Sequence, residues 1–188
     1  ARGIEVAAKN FGHDLEAMLA AIEAQTRVIF IANPNNPTGT FLPGAAVEDF
    51  LARVPRHVLV VLDEAYTEYL APEQRYDSIA WLARFPNLLV SRTFSKAYGL
   101  ASLRVGYALS SPQVADTLNR VRAPFNVNSL ALTAACAALD DADYLAASRR
   151  TNDAGMAQLE DGFRRLGLSW IASKGNFIAV DFGRDAAP

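Results

Sequence analysis

The chain has 188 residues, of which 51% are hydrophobic and 20% charged, and its formal net charge at pH 7 is −2. These proportions are typical of a globular protein with one domain, or one and part of another. The near-neutral charge provides no basic field for nucleic acid or an anionic membrane, and we expect neither partner. No apolar stretch approaches the roughly 20 residues of a membrane-spanning helix, and the first residues lack the apolar segment of a signal peptide.

The first part of the chain alternates predicted helices and strands. A helix capped by Asp14 begins at Leu15, because apolar residues then recur at the i, i+3, i+4 spacing. A second helix is predicted at residues 47–54 and a short one at residues 78–85. Four apolar runs are predicted to be strands, at residues 27–32, 58–62, 88–90 and 103–109. Apolar strands separated by helices indicate a mainly parallel sheet covered on both faces.

The later part of the chain is predicted to be mainly helical. Ser111 and Pro112 mark a helix start, residues 122–128 interrupt the pattern, and residues 129–139 resume it. A long helix is predicted over residues 141–166. Two further strands are predicted, at residues 168–172 and 176–182, in a separate smaller layer. We therefore place a domain boundary near Asp140.

The single cysteine, Cys136, lies in an alanine-rich run. One cysteine excludes an internal disulfide and is consistent with a reducing compartment, so we predict a cytoplasmic protein. We expect Cys136 to be a small buried residue rather than a nucleophile. The two histidines, His13 and His57, are isolated, and no grouping with metal-ligand spacing is present, so we predict no metal site.

Polar segments follow three of the predicted strands at the point where each strand ends. They are residues 33–39, residues 63–66 and the segment 91–107 that contains Lys96. Taken singly, each has a structural explanation: a tight turn, a helix cap and a surface lysine. In open α/β sheets, however, ligands bind beyond the carboxyl ends of the strands. Three such segments at successive strand ends therefore predict a binding site.

Lys96 carries the most specific chemical prediction. It follows the apolar run 88–90, where an ammonium group is costly to bury unless it is paired or neutralised. A desolvated lysine loses its proton more easily and can form an imine with an aldehyde. Thr93, Ser95 and Arg104 lie close in sequence and supply the hydroxyls and the cation that bind a phosphate. A lysine beside a phosphate site predicts pyridoxal 5′-phosphate (PLP) as the cofactor.

The other requirements of PLP also have candidates. The coenzyme needs a carboxylate that keeps its pyridine nitrogen protonated, and Asp63, predicted to be buried at a strand end, fits that need. Asn36 and Tyr66 can donate hydrogen bonds to the ring oxygen. Glu64, beside Asp63, is predicted to serve structure. Phe125 and Asn126 either face the substrate or belong to a loop that Phe125 anchors by packing, and the second is favoured by a small margin.

Three motifs together resemble those of the fold-type I, class I/II aminotransferases. They are Asn33-Pro-Asn-Asn-Pro-Thr-Gly39, Leu62-Asp-Glu-Ala-Tyr66, and Ser95-Lys96 with Arg104. Residues 30–40, 93–101 and 122–128 are similar in particular to the histidinol-phosphate aminotransferases of histidine biosynthesis. The resemblance covers nearly all of the chain. It implies that Lys96 is the catalytic residue that forms a Schiff base with PLP, and that the other cofactor-binding residues are Asn36, Asp63, Tyr66, Thr93, Ser95 and Arg104.

The same resemblance implies an architecture and a reaction. Residues 1–140 would form the PLP-binding large domain, incomplete at its N-terminus, with a mainly parallel, doubly wound α/β sheet. Residues 141–188 would begin a small α+β domain, also incomplete. The implied reaction is transamination between histidinol phosphate and 2-oxoglutarate, so the partners are an amino donor and a 2-oxo acid acceptor, in a homodimer. Ser102 departs from the family, which usually has glycine there, and a positive φ would strain a serine.

Other functions also fit the motifs. One is another fold-type I PLP enzyme, either an aromatic aminotransferase or a phospho-amino-acid decarboxylase. A different class is an aminotransferase-like domain that senses a ligand for a transcription regulator. A third is an inert fragment that folds without turnover.

Overall fold

The computed structural model describes residues 2–185, in which helices and strands alternate up to the end of the main sheet. The α-helices are α1 (Leu15–Ala20), α2 (Gly44–Arg53), α3 (Pro112–Val121), α4 (Ser129–Asp140) and α5 (Ala142–Arg165). The strands are β1 (Val28–Ala32), β2 (Leu59–Asp63), β3 (Leu88–Thr93), β4 (Gly106–Ser110), β5 (Ser169–Trp170) and β6 (Val180–Asp181). Short 3₁₀ turns occupy Thr67–Tyr69, Pro72–Gln74, Ala80–Ala83 and Ala101–Leu103.

The main sheet has the strand order β1-β2-β3-β4. Strands β1, β2 and β3 are parallel, and β4 runs antiparallel to β3. This confirms the predicted mainly parallel α/β sheet. Ala32 pairs with Asp63, and Asp63 pairs with Ser91, so the parallel strands end at one edge of the sheet. Strands β5 and β6 form a separate antiparallel pair, as predicted for the tail of the chain.

One face of the sheet forms the hydrophobic core. Ile31, Val60 and Val90 point to this face and are fully buried. Helix α2 covers it with Val47 and Phe50, which recur at helical spacing and are also buried. The apolar periodicity therefore predicted both the helix and the face that it buries.

The opposite face of β1 is open. Phe30 is 71% exposed and Val28 is 43% exposed, although both belong to the apolar run that predicted a strand buried on both sides. Within residues 2–185, α1 and α2 contribute to the core on the side of Ile29 and Ile31 instead. The predicted coverage of both faces is therefore not seen at β1.

Several element boundaries differ from the predictions because backbone pairing and not side-chain polarity sets them. Strand β3 continues through the polar residues Ser91 to Thr93, because Thr93 still pairs with Gly106 of β4. Strand β4 begins at Gly106, after a 3₁₀ turn at residues 101–103. The short helix predicted at residues 78–85 is a single 3₁₀ turn.

The predicted helices α3 to α5 are confirmed, and α5 runs unbroken through Gly155. Two side-chain predictions in this region are wrong. Cys136 is exposed, because α4 packs through Ala131 and Ala135 on a different side of the helix. Phe125 is 97% exposed and anchors nothing within residues 2–185. The same residues contain no helix with the length and apolarity that a membrane crossing requires, and the domain boundary near Asp140 stays a prediction.

The packing of Phe50 in the core predicts that its truncation strongly lowers the stability of the protein. We expect Phe50→Ala to lower the free energy of unfolding by about 3–5 kcal/mol, because it leaves a cavity between α2 and the sheet. Urea unfolding measures this change. The control is Leu166→Ala, which truncates a side chain that is 73% exposed and should change stability by less than about 0.5 kcal/mol. Equal effects of the two substitutions would contradict the assigned core.

Candidate functional site

The first motif forms a loop fixed to the sheet by Asn33. The Asn33 amide nitrogen donates to the Leu42 carbonyl at 2.9 Å and to the Tyr76 hydroxyl at 2.8 Å. The Leu42 N–H donates back to the Asn33 side-chain oxygen at 2.8 Å. Asn33 is 1% exposed, so its amide satisfies buried polar groups at the base of the loop. This leaves the outer part of the loop, with Asn36, to face the strand ends.

Three candidate residues meet around Tyr66. The Asn36 amide nitrogen donates to the Tyr66 hydroxyl oxygen at 2.7 Å. The Lys96 Nζ atom lies 5.6 Å from the centroid of the Tyr66 ring, within the range of a cation–π contact. The tyrosine is 5% exposed, which fixes its ring. Tertiary structure thus brings together one residue from each of the three motifs.

Thr93, Ser95 and Arg104 form a second group beside Lys96. The Ser95 N–H donates to the Thr93 hydroxyl at 3.0 Å, and Arg104 Nη1 lies 3.4 Å from the Ser95 hydroxyl. Arg104 also donates to the Ala101 carbonyl at 2.8 Å. Two hydroxyls and a guanidinium group in this arrangement are suited to an anion such as a phosphate.

Asp63 occupies the last position of β2, where its Oδ1 atom accepts a hydrogen bond from the Ala65 N–H at 3.0 Å. Asp63 and Lys96 are both exposed, so the prediction that Asp63 is buried is wrong, and the desolvation considered for Lys96 is not seen within residues 2–185. The reason for Asp63 is geometric: it pairs with Ala32 and shares the face of the sheet on which Phe30 is exposed.

A segment far along the chain also reaches the site, and sequence reasoning missed it. The Lys174 N–H donates to the Gly39 carbonyl at 2.8 Å, and Phe177 packs edge-on against Tyr66, with ring centroids 5.1 Å apart. Gly39 has a φ of +75°, and a Cβ atom there would lie 2.0 Å from the Ser173 hydroxyl. Glycine is therefore required at this contact. No local pattern in the sequence signals it, because more than a hundred residues separate the partners.

Glu64 lies behind the site in a buried ion pair. Arg92 donates to Glu64 Oε2 from Nε at 2.9 Å and from Nη2 at 2.8 Å, and the glutamate side chain is 1% exposed. Burial raises the pKa of Glu64, while the Arg92 guanidinium opposes that rise. The predicted structural role of Glu64 is confirmed. Ser102 lies in a 3₁₀ turn and is not among the residues with positive φ, so the strain considered for it does not occur.

Comparisons with known proteins identify the family of the chain. Residues 3–187 match the family described as aminotransferase class I and II. The chain is 74% identical to histidinol-phosphate aminotransferase 2 of Pseudomonas aeruginosa over 188 residues, which is all of this chain and 51% of that protein. The chain therefore spans about half the length of the curated relatives it matches.

Solved structures of known proteins are also similar to this chain. The histidinol-phosphate aminotransferase of Sinorhizobium meliloti, in complex with pyridoxal 5′-phosphate, matches with a TM-score of 0.88 and 39% identity, over 95% of this chain and 48% of that one. L-threonine-O-3-phosphate decarboxylase of Porphyromonas gingivalis matches with a TM-score of 0.71 and 23% identity, over 83% of this chain and 48% of that one. The second likeness shows the fold alone.

Glu68, two residues after Tyr66, predicts a pH dependence of stability. Burial raises the pKa of Glu68 to about 7 from a reference value of 4.5. The folded state thus holds this proton more tightly than the unfolded state, so the contribution of Glu68 to stability falls as pH rises from about 4.5 to about 7. Glu68→Gln removes this loss. We expect the stability difference, variant minus wild type, to rise by about 1–3 kcal/mol between about pH 4 and about pH 8.

Urea unfolding of both proteins at the two pH values measures this difference. The matched control is Glu68→Asp, which keeps a carboxyl group at the same position and should retain a falling stability. A stability difference between Glu68→Gln and wild type that stays constant with pH would contradict the assignment.

Proposed function

The chain belongs to the class I and II aminotransferase family, and we propose that it is the coenzyme-binding part of a histidinol-phosphate aminotransferase. The proposed reaction transfers an amino group between histidinol phosphate and 2-oxoglutarate in histidine biosynthesis. The 74% identity to the Pseudomonas aeruginosa enzyme of that name supports this choice of substrate.

We propose PLP as the cofactor, and one observation carries the proposal. Side chains from three separate strand ends converge. The Asn36 amide donates a hydrogen bond to the Tyr66 hydroxyl, and Lys96 lies beside the Tyr66 ring. The donor set matches the groups of the coenzyme: an amine for its aldehyde, an amide and a phenol for its ring oxygen, and hydroxyls with a guanidinium for its phosphate. When bound, PLP supplies an aldehyde that captures amines and a protonated ring that withdraws electrons.

Each residue of the site then has a separate task. Lys96 Nζ would hold the coenzyme through its aldehyde, and as a free amine it would carry a proton to and from the substrate Cα. The Asn36 amide and the Tyr66 hydroxyl orient the ring through its oxygen. The Asp63 carboxylate holds a proton at the ring nitrogen, since an ionised partner favours the protonated form.

Thr93, Ser95 and Arg104 hold the coenzyme phosphate in this proposal. The Ser95 N–H already fixes the Thr93 hydroxyl oxygen at 3.0 Å, so the hydroxyl hydrogen is left to donate to the phosphate. The Arg104 guanidinium supplies the compensating charge. Charge-assisted hydrogen bonds of this kind are about twice as strong as neutral ones.

The alternative functions differ in the reaction, if any, that the protein would catalyse. A phospho-amino-acid decarboxylase would release carbon dioxide from its substrate, whereas an aromatic aminotransferase would prefer an aromatic amino donor. A ligand-sensing domain or an inert fragment would show no turnover with any donor. Activity assays of the protein with histidinol phosphate, aromatic amino acids and phospho-amino acids distinguish these cases.

We further propose that the protein is a cytoplasmic homodimer. Apolar side chains cluster in sequence around the junction of α3 and α4, where Val121 is 76% exposed, Phe125 is 97% exposed and Leu130 is 75% exposed. Exposed apolar patches of this kind mark interaction surfaces. The cytoplasmic location is supported by the free cysteine Cys136.

The proposed role of Lys96 predicts a spectroscopic result. Adding PLP to the protein should produce the visible absorbance band of a lysine-bound coenzyme, and Lys96→Ala should abolish that band because it removes the reacting amine. The control is Lys9→Ala, which removes an exposed lysine outside the three motifs and should keep the band. A persistent band in Lys96→Ala would show that another amine binds the coenzyme.

The proposed dimer predicts that Phe125→Glu yields a monomer. The Phe125 side chain is 97% exposed, so a charge there should disturb a subunit interface without disturbing the fold. Analytical ultracentrifugation measures the oligomeric state. Leu166→Glu, at a position that is 73% exposed beyond the end of α5, is the control and should remain dimeric. A dimer of unchanged strength in Phe125→Glu would remove this surface from the proposal.

A further inference from the structure

A row of polar side chains crosses the sheet on the side opposite the candidate site. Side chains alternate between the two faces along a strand, so Glu64 points away from the face of Asp63, and Arg92 points away from the face of Thr93. Asp63 pairs with Ser91, and the Glu64 N–H donates to the Ser91 carbonyl at 2.9 Å. Glu64 and Arg92 are therefore neighbours directly behind the residues assigned to the coenzyme.

The contact between Glu64 and Arg92 is short and shielded from water. Both Arg92 hydrogen bonds end on one carboxylate oxygen, at 2.8 and 2.9 Å, and the exposed side-chain fractions are 1% for Glu64 and 23% for Arg92. The fully buried Ser78 lies beside the same carboxylate. A buried charge without its partner raises the free energy of the folded state. Glu64 therefore restrains the strand that carries Arg92, and Arg92 restrains the strand end that carries Glu64.

The row continues to β4 through Tyr107, which pairs with Arg92 in the sheet. Burial works against the charged form of Arg92, but the neighbouring Glu64 carboxylate and Tyr107 hydroxyl raise its pKa above the ordinary value. Gly106 keeps the two strands close, because a Cβ atom there would lie 2.7 Å from the Arg92 carbonyl oxygen. The three side chains thus link the ends of β2 and β3 to the start of β4.

We propose that Glu64, Arg92 and Tyr107 are positioning residues that hold the coenzyme-binding strand ends in place. Each lies next to part of the site: Glu64 follows Asp63, and Arg92 precedes Thr93. Tyr107 lies three residues after Arg104. The three residues act from behind the sheet and touch neither coenzyme nor substrate. The proposal rests on the proposed function, since it assigns these strand ends to PLP.

Replacing one member should loosen the site without removing any residue from it. Glu64→Gln keeps the size of the side chain but removes the charge that balances Arg92. Without that charge, the ends of β2 and β3 lose the ion pair that links their side chains. We expect the dissociation constant for PLP to rise about tenfold, which corresponds to about 1.4 kcal/mol.

A second measurement needs no coenzyme. In coenzyme-free protein, amide hydrogen exchange in residues 93–97 should be faster in Glu64→Gln than in wild type, because local opening of this segment becomes less costly. Tyr107→Phe removes a single hydroxyl group and should produce smaller shifts in the same two directions. This milder variant carries the test if Glu64→Gln fails to fold.

Two control variants separate positioning from general stability. Glu16→Gln removes the same charge from an ion pair between helices, where Arg53 Nη2 contacts Glu16 Oε2 at 2.8 Å away from the site. Val47→Ala weakens the buried core under α2. We expect both to bind PLP with the wild-type dissociation constant and to leave exchange in residues 93–97 unchanged relative to global unfolding.

The outcomes are distinct. Wild-type PLP affinity and wild-type exchange in both Glu64→Gln and Tyr107→Phe would overturn the positioning role while leaving the proposed function intact. A loss of affinity in Val47→Ala equal to that in Glu64→Gln, at equal loss of stability, would overturn it as well. Absence of PLP binding by the wild-type protein would instead overturn the proposed function, and this proposal with it.

Discussion

The register of the three parallel strands is the constraint on which the site depends. Ala32, Asp63 and Ser91 lie side by side across β1, β2 and β3, so the segments that follow them leave the sheet at one edge. Parallel strands give this result because their carboxyl ends point the same way. The contacts of Asn36 with Tyr66 and of Tyr66 with Lys96 follow from that alignment. A shift of one residue would turn Asp63 to the opposite face.

The two faces of the sheet carry different kinds of side chain. The core face carries Ile31, Val60 and Val90, and beyond them it carries the buried polar groups Asn33 and Glu64. Hydrogen bonds stabilise such groups: the Asn33 amide donates to the Tyr76 hydroxyl, and Glu64 Oε2 accepts from Arg92. The other face presents Asp63 and Thr93. The buried polar groups therefore lie on the face opposite the candidate site residues Asp63 and Thr93.

The exposure of one face of the sheet weakens the electrostatic interactions of the candidate site. Asp63 and Lys96 are exposed within residues 2–185, and charges in contact with water interact weakly because of its high dielectric constant. The chain spans about half the length of its curated relatives. In the proposed site its residues would supply hydrogen-bond donors to the coenzyme, whereas the described residues do not shield those contacts from water.

The sequence by itself determined the helices of the core, the mainly parallel sheet and the identity of the candidate site residues. Apolar periodicity and short motifs are local, and they can be recognised in one chain. Only the tertiary structure decided the exposure of Asp63 and Lys96, the contact of Phe177 with Tyr66, and the pairing of Glu64 with Arg92. These features depend on which distant segments meet, and on which face of the sheet stays uncovered. Residue type records neither, because the same phenylalanine or glutamate fits a core, a surface or an interface.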